Sequence, residues 1–373
     1  MINITQHKDK IILSITSYFW IILKFLTYKL WLSNRVFPTI PPFDSVPTVP
    51  NNLHFFLFIV SVFLIFIISQ KPSKILIIIF LFFELTSCSL DQMRWQPWEF
   101  QFILIFAAFS TLKKQYFLKI TTLILLSSYL FSGLHKINNG FLYSIWNQLI
   151  LKNFFGYSDD LVANKYLFYL GLLIPIIEIL IGFGLYYAKN KSFFLILSIS
   201  MHAFIILLFS PIFVNHNLVI IPWNLFYILI ITLLFFDSPI DLKLTFSNNN
   251  KLILFFIIIV FLPILNFFNC YDDYLSSNVY SGNSKTIIVF QINDKYYPEL
   301  IKHQTKNKNF ESKSYGSAIY LDGLALDELN VPIYPETRTF KMLKKQWNLK
   351  YTKSKNQFFM YKFPYKKQSE IEI

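Results

Sequence analysis

Nine apolar stretches, each near the length of a bilayer crossing, divide this chain and leave few folds open to it. An α-helix rises 1.5 Å per residue, so about 17–25 apolar residues span the hydrocarbon core. The stretches cover residues 11–31, 53–70, 74–90, 99–112, 116–135, 165–188, 192–213, 217–236 and 252–270, and the fourth is the shortest. Only 15% of the residues are charged, against roughly 25% in soluble domains. The basic segment Met1–Lys10 leads into bulky Ile11–Phe25 with no Ala-x-Ala site after it, so the first stretch reads as an uncleaved span. The expected fold is an all-α polytopic membrane protein with about nine transmembrane helices over residues 1–270. A small α+β extramembrane domain follows over residues 271–373. There Ile287–Ile292 alternates like a strand, Phe358–Phe363 is a second candidate, and Arg338–Trp347 reads as a short helix.

The net charge of +13 does not point to nucleic acid. The lysines sit between apolar stretches, where membrane topology accounts for them, and the partner they imply is the lipid bilayer. With the N-terminus inside, eleven basic residues flank the inner ends of the spans and seven the outer ends. This orientation predicts a cytoplasmic N-terminus and an extracytoplasmic C-terminus. Cys88 and Cys270 are too few for a disulfide scaffold or a cysteine zinc site, and both fall near outer span ends, where oxidation to a single bridge is chemically open. The stretch Phe37–Asn52 holds five prolines and is expected to be non-helical, whereas Trp146–Ala163 has room for a short interfacial helix.

Ionisable side chains inside spans are costly and tend to pair. Glu84, Glu178 and His202 each lie about ten residues from an inner span end, hence about 15 Å deep. The short turn 188–192 makes the spans carrying Glu178 and His202 antiparallel neighbours, so a Glu178–His202 pair is expected. The segment Ser132–Phe141 stands apart: an apolar run ends in Gly133, then His135 and Lys136, then an Asn-Asn-Gly turn. A lysine partly desolvated in an apolar mouth can act as a base. The outer loop 91–99 places Asp91, Gln92, Arg94, Trp95, Trp98 and Glu99 together, a set suited either to an aromatic belt or to gripping a ring. Asn215-His216-Asn217 and Pro222-Trp223-Asn224 open the eighth span on the same side. No phosphate-binding glycine loop, HExxH or GxSxG occurs, and His135 and His202 lack any metal-ligand spacing, so no metal is expected.

Ser132-Gly133-Leu134-His135-Lys136-Ile137-Asn138 resembles the A-G-x-x-K-[LI]-[DN] stretch of the vitamin K-dependent γ-carboxylase family, and more closely its bacterial relatives, the HTTM (horizontally transferred transmembrane) proteins. Asp91–Trp98 resembles the D-Q-x-R-x-Q-P-W signature of an HTTM subgroup. Met201-His202, Pro222-Trp223-Asn224 and the pair Tyr271–Tyr274 and Val279–Gly282 follow in the matching order. The resemblance covers residues 85–285 or so and implies a bacterial inner-membrane protein. It implies Lys136 as the base that deprotonates a lipid quinol such as reduced vitamin K or menaquinone, with His202 and Glu178 orienting it. Arg94, Trp95, Trp98, His135, Asn217, Trp223 and Asn224 would line the quinol site. The chain departs from the carboxylase pattern in having Trp95–Trp98 where the catalytic family has a histidine, and in its short outer region. A carboxylase-like or redox enzyme is therefore expected. The alternatives are a non-enzymatic membrane module, or a transporter with Glu84, Glu178 and His202 as a proton relay.

Overall fold

A computed structural model describes residues 7–215, 217–236, 242, 250–291, 297–304, 317–362 and 371–373. His216, Ile292, Phe363 and Lys243, each part of an expectation above, lie outside the described residues. The helices are α1 Lys8–Leu26, α2 Asn51–Gln70, α3 Lys74–Leu90, α4 Pro97–Thr111 and α5 Lys114–Lys136. They continue as α6 Leu142–Phe154, α7 Lys165–Tyr187, α8 Ser192–Phe209, α9 Ile220–Phe235 and α10 Asn250–Phe268. Among the described residues, α2, α5, α7, α8 and α10 are long and apolar enough to cross a membrane. The other expected spans are shorter or more charged: α3, α4 and α9 have 17, 15 and 16 residues, and α1 carries Lys8, Asp9, Lys10 and Lys24.

Local sequence accounts for the helix ends. Pro97 opens α4, where its missing N–H costs nothing. Asn164 Oδ1 accepts from the backbone N–H groups of Tyr166 and Leu167 at the start of α7. Asn269 adopts φ +57° just past α10, and such a left-handed residue ends a helix. The helix α6, wound with wide π-type turns, fills part of the region expected to hold an interfacial helix.

The first four helices close around buried charge. Lys24 Nζ lies 2.7 Å from Glu84 Oε1, and both side chains are fully buried. Ser61 donates to the other Glu84 oxygen at 2.5 Å. Trp20, packed edge-on against Phe80, Phe102 and Phe106, donates its indole N–H to Glu99 at 2.7 Å. Arg35 pairs with Asp91 at 2.5 Å and also binds the carbonyls of Leu30, Phe37 and Pro38, so it holds the proline-rich loop in place. Trp31 stacks under the Lys24 ammonium, 3.2 Å from the ring centre, with the Arg94 guanidinium 5.6 Å from it. Lys24–Glu84 and Arg35–Asp91 are thus buried ion pairs, while Glu99 is held by the neutral Trp20 indole. Cys88 is buried and Cys270 exposed, and both are free thiols.

The C-terminal part carries β1 Lys285–Gln291, β2 Ser317–Tyr320, α11 Leu321–Leu329, α12 Thr337–Lys350, β3 Asn356–Lys362 and β4 Ile371–Glu372. The sheet is antiparallel in the order β2-β1-β3-β4, with Val289 opposite both Ile319 and Phe358. Alternation along β1 sends Ile287 and Val289 into the main core, and Ile288 and Phe290 to a second cluster with Ala318 and Tyr361. This part sits on the loop after α1: the Glu328 carboxylate accepts from the N–H groups of Val36 and Phe37, and Asn330 donates to the Leu26 carbonyl. Asp272, just after α10, pairs with Arg338 of α12 and accepts from the Tyr334 hydroxyl.

Two predictions follow from buried charge on the two sides of the molecule. Lys24→Met leaves Glu84 charged and unpaired, at a cost of roughly 3–5 kcal/mol; pairing it with Glu84→Met recovers most of that loss in thermal melts of detergent-purified protein. In the C-terminal part, burial pushes the Asp322 carboxyl up to about 6 and Glu336 up to about 7. A carboxyl raised in the folded state contributes fully below pH about 4, and that contribution is lost as pH rises through 6–7. Asp322→Asn stays neutral and can still accept from the Ile333 N–H as Asp322 does. Its melting temperature relative to wild type therefore climbs from pH 4 to pH 7, and a constant difference would refute the linkage.

Candidate functional site

The helix α5 carries Ser128, Tyr129, Ser132 and Lys136 at spacings of three, four and seven residues, one polar stripe in an apolar helix. That stripe faces a cavity of about 410 Å³ lined by α4 to α9 and the segment 277–280. The size falls within the range of small-molecule sites, about 300–1,000 Å³. Its wall is mainly apolar, with Ile145, Ile174, Ile177, Leu197, Phe204 and Leu208 among the lining side chains. The polar groups in it form three sets.

Lys136 and Glu178 make the first. Lys136 Nζ lies 2.5 Å from Glu178 Oε1 and 2.7 Å from Ser132 Oγ. Glu178 Oε2 is buried without a hydrogen-bond partner. The pair exists because α5 and α7 approach closely. A Cβ on Gly133 would sit 2.8 Å from the Pro175 carbonyl oxygen, and one on Gly182 would sit 3.3 Å from that of Leu126. Pro175, Glu178, Ile179 and Gly182 are therefore the face of α7 turned to α5. This corrects the expected Glu178–His202 pair: depth was no obstacle, but Glu178 points at α5 rather than at α8.

His202 heads the second set. Asn224 donates its Nδ2 to the Ile220 carbonyl at 2.7 Å, which leaves Asn224 Oδ1 to face His202 Nδ1 at 2.6 Å. Nδ1 must then carry the proton and donate. Nε2, 2.5 Å from the Tyr129 hydroxyl, accepts from it, and the Ser198 hydroxyl, 2.9 Å away, donates to Tyr129. In the third set Gln101 Nε2 donates to Ser128 Oγ and Tyr227 Oη, while Trp223 donates to Gln101 Oε1.

A strap from the C-terminal side forms one edge of the cavity, which stays partly open. Ser277, Val279 and Tyr280 line it, and Asn217 Nδ2 donates to the Tyr280 hydroxyl at 2.9 Å. Burial pushes that hydroxyl above the usual tyrosine range, so it stays protonated. Asn138 holds the strap through the Ser281 carbonyl at 3.0 Å. At Gly140 a Cβ would meet the Gly282 carbonyl oxygen at 2.1 Å, and Gly282 itself has φ +66°. The Asn-Asn-Gly turn is thus the seat for a second glycine backbone.

The structure brings Lys136, Glu178, His202, Trp223 and Asn224 into one wall and places Asn217 behind Tyr280. It leaves four expected site residues elsewhere. The Arg94 guanidinium is spent on the Leu30, Ser87 and Trp31 carbonyls, the Ser87 hydroxyl and His54. Trp95 donates to the Cys88 carbonyl, and Trp98 is fully buried among Phe102 and its neighbours. His135 stacks on Phe267 at 4.3 Å, turned about 100° around α5 from the neighbouring Lys136. Glu84 is likewise occupied by Lys24 and Ser61, away from the cavity. Sequence reasoning missed Gln101, Ser128, Tyr129, Ser132, Tyr227 and Tyr280. The α5 stripe was the readable signal for three of them.

No family model, curated protein or solved structure matches the chain.

Gly140→Ala should displace the strap, raising hydrogen exchange at residues 277–282 and lowering the melting temperature. Gly156→Ala serves as a control: it has φ +72° but nothing within 4 Å of an added Cβ, so it should leave that exchange unchanged.

Proposed function

We propose that the chain is an integral membrane protein of the HTTM type that binds a lipid quinol, such as reduced vitamin K or menaquinone, in this cavity and exchanges protons with it. The observation that carries the reading is the Lys136–Glu178 pair standing in an apolar wall inside a bundle of membrane-length helices. The lining fits such a ligand. Trp223 and Tyr227 offer aromatic faces, the aliphatic side chains suit a ring and the start of a prenyl tail, and Lys136 has a third N–H left to donate. A bound quinol supplies two hydroxyl protons and two electrons. Lys136 holds or moves a proton at Nζ, and transfer from Nζ to Glu178 Oε1 frees an amine without changing the net charge of the pair. Ser132 and the α5–α7 contact keep both groups in place. In this reading nine spans cross a bacterial inner membrane, with the N-terminus cytoplasmic and the C-terminal domain outside. Carboxylation of a protein substrate is the reaction that the family resemblance adds, with Lys136 as base.

Lipid extracted from the purified protein should contain a quinone at near-stoichiometric amount by mass spectrometry. Lys136→Met with Glu178→Gln removes both charges together, avoids stranding one of them, and should keep the fold while losing most of the quinone. Lys136→Arg keeps the positive charge beside Glu178, so it should retain quinone. Protein that folds normally and carries no quinone under any preparation would favour the non-enzymatic membrane module instead.

A further inference from the structure

The cavity holds a second proton-exchanging unit, and the geometry points to it, rather than Lys136, as the base. The proposal rests on the quinol reading above and specifies how that site works: His202 removes a ligand hydroxyl proton through Tyr129, while Lys136 clamps the oxygen across the ring.

The tautomer argument is the first support. With the Asn224 amide anchored on the Ile220 carbonyl, His202 is held neutral with its proton on Nδ1 and its Nε2 lone pair turned to Tyr129. A neutral Nε2 accepting from a phenol is a base already in contact with its relay. Lys136, by contrast, already has a carboxylate against its ammonium, so it arrives as a donor. The helix geometry is the second support. Tyr129 and Lys136 lie seven residues apart on one face of α5, two turns or about 10 Å along the axis, with both side chains lining the same cavity. A ring with oxygens at opposite ends suits that separation. A ligand with a single polar end would leave one of the two units unused.

The step balances. The ligand O–H bond breaks and its proton passes to the Tyr129 oxygen, as the Tyr129 proton passes to His202 Nε2. One N–H bond forms, Tyr129 is unchanged, and Asn224 Oδ1 continues to accept from Nδ1. The negative charge left on the ligand stays on that oxygen and the ring carbons conjugated with it, while Lys136 donates to the hydroxyl oxygen at the far end. No oxidant is needed. Glu178 and Tyr227 are the other titratable groups facing this part of the cavity.

The test uses 2-methyl-1,4-naphthohydroquinone, kept reduced with dithionite under argon; its two ring hydroxyls stay protonated in neutral water, and its anion absorbs at longer wavelength. Full-length protein labelled with 15N at histidine is studied in detergent by NMR, with His202→Gln assigning the His202 signals and melting curves confirming that each variant folds. On adding the probe, the His202 Nε2 signal should move from the lone-pair to the protonated range as the anion colour appears. Tyr129→Phe should still bind the probe but leave Nε2 unprotonated, and Lys136→Met/Glu178→Gln should weaken binding of the anion at least tenfold. Ionisation of the bound probe with Nε2 unchanged would place the base elsewhere and overturn the proposal. Protonation that persists in Tyr129→Phe would overturn the relay alone. A probe that fails to bind wild type would overturn the quinol reading, and this proposal with it.

Discussion

An ammonium and a carboxylate placed 2.5 Å apart in an apolar wall constrain everything around them. Desolvating either ion alone costs several kcal/mol, so each exists there only while the other is held opposite. The holding is done by backbone. Gly133 and Gly182 let α5 and α7 approach until Lys136 at the last turn of one helix meets Glu178 in the other. A larger residue at either glycine would push the helices apart and leave two buried charges unpaired. The cavity lies beside that contact, and α4, α6, α8, α9 and the segment 277–280 supply the remaining wall.

The same logic connects the C-terminal domain to the site. Its strap reaches the cavity only where Gly140 and Gly282 allow two backbones to touch, with Asn138 and Asn217 fixing it on either side. The domain is anchored independently through Glu328, Asn330 and the Asp272–Arg338 pair. Forces on the domain thus have a short covalent route to the side chains that line the cavity. The C-terminal domain is linked to the cavity by ten residues of chain, from Asp272 to Ser281.

Much of this was legible in the sequence, for identifiable reasons. Apolar runs of span length made the helical bundle readable, and period-two alternation located β1 and β3. The last turn of α5 stood out because charge and glycine at a span end break the apolar pattern. What could not be read was azimuth. Residue counts put Glu178 and His202 at comparable depth, but only the packing of α7 on α5 decides which neighbour Glu178 faces. The loop 91–99 misled for a related reason. Arginine and tryptophan suit a ring site and a structural joint equally well, and the difference lies in which carbonyls happen to surround Arg94, which no local spacing reveals.

That comparison also separates the two buried polar clusters of the molecule by a physical criterion. Around Arg94 the guanidinium is ringed by acceptors from α3, the end of α1 and His54, and Glu84 has a donor on each oxygen. Most of that cluster's polar capacity goes to joining the first four helices, with Glu99 Oε1 left without a partner. In the cavity wall Glu178 Oε2 has no hydrogen-bond partner, Lys136 has a donor in reserve, and Tyr129 stands between a neutral imidazole and open volume. Leaving buried polar capacity unused costs roughly 1–3 kcal/mol per group. Unpartnered polar atoms are buried elsewhere too, Glu99 Oε1 among them, and what sets the cavity wall apart is that its unused capacity borders about 410 Å³ of volume, room for a ligand to take it up.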